Sequence, residues 1–570
     1  MMPDTNLTKQ QVDGGDGAAR QPLRARLEAL IPVAVVVALL APFVRRAFSI
    51  DDPLFIWMAE HILKHPLDPY GLSVNWGLVR EPMSKVMQNP PLDSYFIAGV
   101  IRLVGLSEVR LHLAFLLPAA VAAWGIYHIA RRFCTRPLEA TLAAVLTPAF
   151  LVCGSTVMCD MMMVAFWVWA VHFWVKGADE NRLWMIVLAS VLIALSALTK
   201  YFGAVLIPLL LAYHFLAKRR PAYLLSFLIP VLVLIAYNYW TQSLYGRGLV
   251  LDAFRQSGLY REEIGAALLP KTMTGLAFAG GCLASVIFLA PLMWSRRALA
   301  GWVGTAAAAV VVLGLASGHS LKLDGADRWL LSAHMGLFAA AGVSLFALAA
   351  ADLTERRDAD SALLFLWMAG TLLFVGALNW TVNGRVILPA APAAGVLMMR
   401  LEERRRLHGR PVQGRSLALP LALSALLALA VANADYQFAC SSRTAALAIH
   451  EKFGGQGTRW FHGHWGFQYY MQRLGAEPYD NDTTVFTLGD AVILPVNNTL
   501  VGRPPAGARV MTGDFPGSAW LSTMNKQRGT GFHSDVWGPI PYGFGLTSPE
   551  TYRVMLVDEW NYPLLKHSAK

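Results

Sequence analysis

Charged residues are scarce in this sequence. Of its 570 residues, 15% are Asp, Glu, Lys or Arg and 55% are hydrophobic, and the mean hydropathy is +0.44. A soluble globular protein has a charged share of about a quarter, so this composition excludes one, and it also excludes a disordered chain and a coiled coil. The net charge of +11 sits in short breaks between apolar runs. No soluble basic face is present, so we expect no nucleic-acid partner.

Cysteines and several catalytic motifs are also lacking. The five cysteines form no Cys-x-x-Cys pair and lie mostly in or beside apolar runs, which argues against a disulfide framework. The absence of GxxxxGK[ST] argues against ATP-driven transport by this chain. The absence of HExxH and of GxSxG argues against a zincin protease and an α/β-hydrolase.

Long apolar runs are abundant instead. A helix needs about 20 mostly apolar residues to cross the hydrocarbon core of a membrane. We therefore predict a polytopic α-helical membrane protein with about 13 transmembrane helices. The predicted spans are approximately 29–44, 109–130, 140–154, 161–176, 183–199, 201–217, 221–240, 272–294, 299–317, 329–351, 362–378, 386–399 and 416–433.

The basic residues predict the orientation of these spans. With the N-terminus in the cytoplasm, clustered Lys and Arg residues fall inside and single ones outside, as the positive-inside rule requires. The first span is predicted to be an uncleaved anchor, because Arg45 and Arg46 follow it instead of a small-residue cleavage site. The inside clusters are Arg131-Arg132, Lys218-Arg219-Arg220, Arg296-Arg297, Arg356-Arg357 and residues 400–406.

This topology predicts three parts. Residues 1–28 form a cytoplasmic, disordered N-terminus, and residues 29–433 form the membrane domain with a long first outer loop at 45–108. Residues 434–570, called the tail below, lie outside the membrane. The tail has β-like runs at 491–494 and 552–557 and a predicted helix near 443–453, so we expect a small α/β domain.

The first outer loop opens on two adjacent carboxylates, Asp51 and Asp52, followed by Pro53. Asp52 before proline is typical of a helix N-cap, which accepts hydrogen bonds from free backbone amides. Asp51 then points elsewhere at the membrane surface, where a carboxylate is suited to act as a general base. The alternative is that both residues only cap the helix.

Further polar groups lie at the predicted outer ends of spans. Together, two cations and three acids on one rim are what a site for a membrane-embedded phosphate needs. Each group alone is also explained by snorkelling at a helix end. The residues in question are Asp160, Lys200, Tyr201 and Arg385, and the turn Asn89-Pro90-Pro91-Leu92 precedes a predicted amphipathic surface helix.

These motifs, in this order, resemble those of membrane glycosyltransferases of the GT-C class. The resemblance is to the protein O-mannosyltransferase and aminoarabinose transferase superfamily, families 39 and 83, and within it to the bacterial RgtA/B/C/D-like branch. The matching motifs are Asp51-Asp52 with the aromatic helix Phe55–His61, Asn89–Leu92, Asp160, Leu198–Gly203 and Arg385–Pro392.

The resemblance implies a GT-C fold and a reaction. A hexosyl or pentosyl group would pass from a polyprenyl-phosphate donor to an envelope glycolipid, glycan or protein, outside the membrane and with inversion. Asp51 would be the base, and Asp52 and Asp160 would position the acceptor or the base. Lys200, Arg385 and Tyr201 would bind the donor phosphate. The predicted acceptor or donor loop residues are Glu60, Asn89, Arg255 and Arg261.

The chain departs from its relatives where some of them carry an acid and a lysine before the loop prolines. Here Gln88 and Asn89 stand instead, so we assign no metal ligands and leave a divalent cation open. His462 and His464 lack a clear third ligand as well. We expect the bacterial inner membrane as the location. Two other classes stay open: a transporter or flippase of lipid-linked sugars, and a non-catalytic membrane scaffold.

Overall fold

Apolar helices make up most of the structure. The computed structural model describes residues 14–264, 268–295, 325–407, 414–455 and 457–568, with 297, 300–302 and 304–306. Up to residue 264 the helices are Gly14–Leu40, Asp52–Ile62, Met83–Val86, Leu92–Val104, Glu108–Phe133, Pro137–Val145, Pro148–Gly154, Asp160–Asp179, Leu183–Thr199, Leu206–Leu216, Leu228–Tyr245 and Leu249–Ile264. Beyond it they are Leu268–Cys282, Ser285–Met293, Gly325–Arg356, Ala359–Leu373, Gly384–Ile387, Ala391–Leu407, Gly414–Phe453, Trp465–Arg473 and Asn561–Ser568.

The predicted multi-span membrane fold is confirmed. Within the described ranges, seven helices are long and apolar enough to cross a membrane, and two bent helix pairs raise that number to nine. Three shorter apolar helices coincide with predicted spans as well: Leu27–Phe43, Leu183–Thr199 and Tyr201–Leu216. The predicted span 299–317 lies largely outside the described residues.

One predicted span, 140–154, is broken in its middle. The helices Pro137–Val145 and Pro148–Gly154 meet at 65°. Thr147 has extended backbone angles, and its hydroxyl accepts a hydrogen bond from the amide of Phe150. A residue before proline disfavours the helical conformation, so Pro148 and the Thr147 cap end one helix and begin the next.

One end of the helical bundle is lined with arginine ion pairs. Arg132 contacts Asp179 at 2.7 Å and Asp360 at 2.9 Å, and buried Arg400 contacts Asp352 at 2.8 Å. These arginines belong to clusters that the sequence predicts to be cytoplasmic. The candidate site described below lies at the opposite end of the helices.

The first helix begins earlier than the sequence predicts. It starts at Gly14, whereas disorder was predicted up to residue 28; residues 1–13 lie outside the described part. The segment 18–30 is rich in Ala, Arg and Leu, which have high helix propensity. This composition extends the helix beyond the apolar span.

The tail contains a five-stranded mixed sheet. Its strand order is Glu477–Pro478, Arg459–Phe461, Ala491–Pro495, Glu550–Leu556, Met511–Phe515. In the centre, Ile493 pairs with Phe461 in parallel and with Val554 in antiparallel register. The two predicted β-like runs are therefore the two strands Ala491–Pro495 and Glu550–Leu556. Shorter antiparallel pairs are Ser73–Asn75 with Arg80–Pro82, Leu521–Ser522 with Gly543–Phe544, and Met524–Asn525 with Thr530–Gly531.

A single 40-residue helix, Gly414–Phe453, connects the membrane region to the tail. It contains both the predicted span 416–433 and the predicted helix 443–453, because residues 421–453 include no glycine or proline to interrupt it. Its last turns pack on the tail sheet through Ala445 and Ile449. The predicted domain boundary at residue 434 thus falls inside a helix.

Candidate active site

Two ion pairs lie side by side at one end of the bundle. Arg385 donates to Asp51 at 2.7 Å, and Lys200 donates to Asp160 at 2.5 Å. The Arg385 guanidinium also contacts the Sδ atom of Met158 at 3.0 Å, two residues before Asp160. The structure therefore brings together the carboxylates and cations that the sequence predicts to share one rim.

Local structure explains how each cation reaches this place. Lys200 is the extended residue after the helix Leu183–Thr199, and the next turn packs so closely that a Cβ atom on Gly203 would lie 2.4 Å from the backbone of Ser196. Arg385 lies in the short helix Gly384–Ile387, which Asn383 caps by accepting from the amide of Val386 at 3.0 Å.

Both pairs are shielded from solvent to different degrees. The Asp160 side chain is 1% exposed and that of Lys200 15%, whereas Asp51 is 28% exposed and Arg385 13%. The second oxygen of Asp160, Oδ2, has no hydrogen-bond partner among the described residues. A charged pair buried in this way is strongly weakened when only one partner is removed.

Asp52 has a different role from the predicted N-cap. The N-cap position of the helix Asp52–Ile62 is Asp51, whose side chain makes no capping bond. The buried Asp52 carboxylate accepts from the amides of Ser49 at 2.8 Å and Val157 at 3.1 Å. It therefore ties the turn that carries Asp51 to the segment that carries Asp160, which the prediction from local sequence alone did not anticipate.

Burial raises the pKa of the Asp52 carboxyl to about 7, against the opposing effect of the nearby Arg46 charge. An unfolded Asp52 has its ordinary, lower pKa, so ionising the buried group costs folding free energy as pH rises from about 4 to about 7. We expect Asp52→Asn to lack this cost.

The melting temperature of Asp52→Asn relative to the unsubstituted protein should therefore increase between about pH 5 and about pH 8. Asn cannot accept both amide bonds, but that loss is independent of pH. The measurement is thermal unfolding in detergent across this pH range; a difference that is constant or decreases with pH contradicts the assignment.

Asp93 is a site residue that the sequence prediction missed. Its side chain is fully buried, and neither carboxyl oxygen has a hydrogen-bond partner in the part of the chain that the structure describes. Burial and the charges of Asp160 and Asp52 raise the pKa of Asp93 well above its usual range. The available signal was an acid on the apolar face of the helix Leu92–Val104, one turn before buried Ile97.

A chain of tyrosines joins Lys200 to the proline turn. Tyr201 follows Lys200 and packs its ring 6.5 Å from that of Tyr237. The hydroxyl of Tyr237 lies 3.0 Å from that of Tyr70, which in turn donates to the carbonyl of Asn89 at 2.8 Å. Asn89 is thus placed near the site through its backbone.

The other predicted loop residues are not brought into the ion-pair cluster. Glu60 accepts from Arg473 of the tail at 2.5 Å. Arg255 is exposed on the helix Leu249–Ile264, and the side chain of Arg261 lies outside the described part. Their sequence neighbourhood placed them in the right loops, but a loop assignment does not determine where each side chain points.

A buried hub lies directly behind the site. Asp435 of the long helix forms an ion pair with Arg46 at 2.7 Å and contacts His533 at 3.1 Å. Arg46 also donates to the Ser155 hydroxyl at 3.0 Å, and Thr523 donates to Asp435 at 2.9 Å. The hub therefore connects the first loop, the segment before Asp160 and the tail.

The described residues hold no group of three or more His, Cys, Asp or Glu side chains placed to bind a metal ion. His462 and His464 do not share a site either. The ring of His462 stacks on Tyr479 at 4.4 Å, and that of His464 stacks on Trp76 at 5.0 Å. Both histidines pack against aromatic rings at separate places.

Comparison with known proteins bears on this site. Residues 88–240 match the family model of the dolichyl-phosphate-mannose-protein mannosyltransferases. The matched stretch includes the turn Asn89–Leu92, Asp160 and Lys200, so the predicted superfamily resemblance is confirmed over this part of the chain. It covers less than half of the 570 residues. The comparison with curated proteins gave no match.

Solved structures with a similar course include two membrane enzymes. One is the archaeal oligosaccharyltransferase AglB from Archaeoglobus fulgidus, in complex with an inhibitory peptide and a dolichol-phosphate, at 14% identity and a TM-score of 0.48. That match covers 81% of this chain but only 65% of the archaeal enzyme. The other is ArnT from Cupriavidus metallidurans bound to undecaprenyl phosphate, at 14% identity and a TM-score of 0.42, covering 82% of this chain and 93% of ArnT.

Proposed function

We propose that this protein is an integral-membrane glycosyltransferase that transfers a sugar from a polyprenyl-phosphate donor to an envelope acceptor. The observation that carries the proposal is the pair of adjacent carboxylate–cation contacts, Asp51 with Arg385 and Asp160 with Lys200. They combine a candidate base with two cations suited to a phosphate leaving group. The family match at residues 88–240 supports glycosyltransferase chemistry.

In the proposed reaction, an acceptor hydroxyl attacks the anomeric carbon and its proton passes to Asp51. The bond from that carbon to the phosphate oxygen breaks, the configuration inverts, and polyprenyl phosphate leaves with the electron pair. Arg385 and Lys200 stabilise the charge that develops on the leaving phosphate. Arg385 is suited to a forked contact with two phosphate oxygens, and Lys200 supplies a point charge.

The resting ion pairs are part of this mechanism. Arg385 is held by Asp51 and Lys200 by Asp160 at 2.7 and 2.5 Å, so an arriving phosphate competes with both carboxylates for the cations. When Arg385 turns towards the phosphate, Asp51 loses its counter-charge and becomes a stronger base. Donor binding thus prepares Asp51 for proton transfer.

Asp52 and Asp93 have supporting roles in this proposal. Asp52 fixes the turn of Asp51 through its two amide contacts. A protonated carboxyl both donates and accepts hydrogen bonds, so Asp93 is suited to a sugar hydroxyl. Tyr201 lies beside Lys200 and contributes an aromatic wall to the donor site.

The arrangement of charge supports the proposed topology. The arginine clusters around Arg132 and Arg400 lie at the end of the bundle opposite the site, and clustered basic residues favour the cytoplasm. We place the site and the tail on the outer face of a bacterial inner membrane. A lipid-linked donor is suited to this face because it reaches the site through the bilayer.

The experiment that tests this function is mass spectrometry of envelope glycolipids, glycans and glycoproteins with and without the gene. We expect deletion to remove one hexosyl or pentosyl mass from a single class of envelope molecule. The intact gene should restore that mass, and Asp51→Asn should not. Restoration by Asp51→Asn would favour the scaffold or transporter alternative, since neither needs a base at this position.

A further inference from the structure

The tail contacts the backbone that carries Arg385. We call Phe532–Asp535 the strap and Thr381–Arg385 the site segment. The amide of Gly384 donates to the carbonyl of Phe532 at 2.7 Å, and the amide of Asp535 donates to the carbonyl of Val382 at 2.8 Å. The two segments therefore pair along their backbones, directly before Arg385.

Asp535 adds side-chain contacts to this pairing. Its Oδ1 atom accepts from the hydroxyl of Thr381 at 2.6 Å and from the amide of Val382 at 2.9 Å. The fit is close, because a Cβ atom on Gly384 would lie 2.5 Å from the ring of Phe532. The strap thus fixes both the position and the hydrogen bonding of the site segment.

The strap is itself anchored at the hub behind the site. His533 contacts Asp435 at 3.1 Å, and the amide of Phe532 donates to the carbonyl of Thr523 at 2.7 Å. Asp435 also holds Arg46, five residues before Asp51. One connected set of contacts therefore determines where Arg385 stands relative to Asp51.

We propose that the tail completes the donor site, with Asp535 as the positioning residue that holds Arg385 in reach of Asp51 and of the donor phosphate. This rests on the proposed function for the role of Arg385. Asp535 does not touch the reacting atoms; it acts through the backbone of residues 381–385. The tail is accordingly part of the catalytic unit and not a separate module.

The substitutions Asp535→Ala and Asp535→Asn separate positioning from folding. Both contacts to the site segment use Oδ1, which asparagine retains as an amide oxygen, whereas alanine removes it. Thr381→Val tests the same contact from the other side. The matched control is Asp514→Ala, since Asp514 also accepts from a threonine hydroxyl, that of Thr551 at 2.6 Å, at an edge of the tail sheet.

The full-length variants are compared by two readouts: hydrogen exchange of peptides covering residues 379–387, and binding of undecaprenyl phosphate in detergent. Loss of the Asp535 contacts leaves a buried donor unpaired, so Asp535→Ala and Thr381→Val should speed exchange and weaken binding about tenfold. Asp535→Asn and Asp514→Ala should leave both readouts unchanged.

Unchanged exchange in Asp535→Ala overturns the proposal, and so does faster exchange with unchanged lipid binding. Equal weakening by Asp514→Ala would show general loosening of the tail and also overturn it. If the unsubstituted protein binds no undecaprenyl phosphate, the proposed function is contradicted instead. The exchange readout then still decides whether the strap holds the site segment.

Discussion

Asp51→Asn should abolish sugar transfer while the protein continues to bind polyprenyl phosphate. A positioned general base contributes about a hundredfold to ten-thousandfold to a rate, so we expect a loss in that range. Asparagine keeps the shape of Asp51 but cannot take the acceptor proton. It also releases Arg385 from its ion pair of 2.7 Å, so lipid phosphate binding should be unchanged or tighter.

This prediction is measured with purified protein as sugar transfer per minute and, separately, as undecaprenyl phosphate binding by native mass spectrometry. Asp68→Asn is the matched control, because Asp68 lies in the same loop and accepts from Tyr245 at 2.7 Å. Transfer by Asp51→Asn at the unsubstituted rate would remove Asp51 as the base. A loss of both transfer and lipid binding would assign it to donor binding instead.

Replacing Lys200 or Arg385 should weaken donor binding more than any other single change at the site. A hydrogen bond to a charged group contributes about 1.5–3 kcal/mol, which is roughly tenfold to hundredfold in affinity. Lys200→Ala also leaves Asp160, 1% exposed, without its counter-charge. Breaking a buried ion pair from one side costs about 3–5 kcal/mol of folding free energy, so this variant should unfold at a lower temperature.

A double variant separates the two effects of Lys200. Lys200→Met with Asp160→Asn removes both charges, so it should recover most of the thermal stability but none of the undecaprenyl phosphate binding. For Arg385, the lysine variant keeps the charge but loses the planar fork and should bind the lipid less tightly than the unsubstituted protein. Unchanged affinity in both Lys200→Ala and Arg385→Ala would contradict the phosphate assignment.

The helical architecture could be predicted because membrane spans are local features of sequence. Apolar runs of sufficient length mark them, and the ends of those runs place Asp160, Lys200 and Arg385 at span termini. The GT-C resemblance predicted the same residues from motif order. The described structure confirms the multi-span fold with a sheet-containing tail, apart from the break before Pro148 and the continuous helix Gly414–Phe453.

The contacts that define the candidate site could not be predicted in the same way. Asp51 and Arg385 are 334 residues apart, and so many residues lie between most partners at the site that only three-dimensional packing pairs them. Arg46 was interpreted as a charge flanking a span, yet it is fully buried against Asp435. Asp52 looked like a helix cap because its true partner, the amide of Val157, lies in another helix end.

The most direct test of the account uses lipid-linked sugars extracted from cells that lack the gene, where an unused donor should accumulate. Purified protein is mixed with this extract and with envelope from the same cells. We predict that the donor disappears, that free polyprenyl phosphate forms, and that an equal amount of sugar enters the envelope acceptor. Donor that remains intact while the acceptor and active protein are present would contradict the proposed transferase.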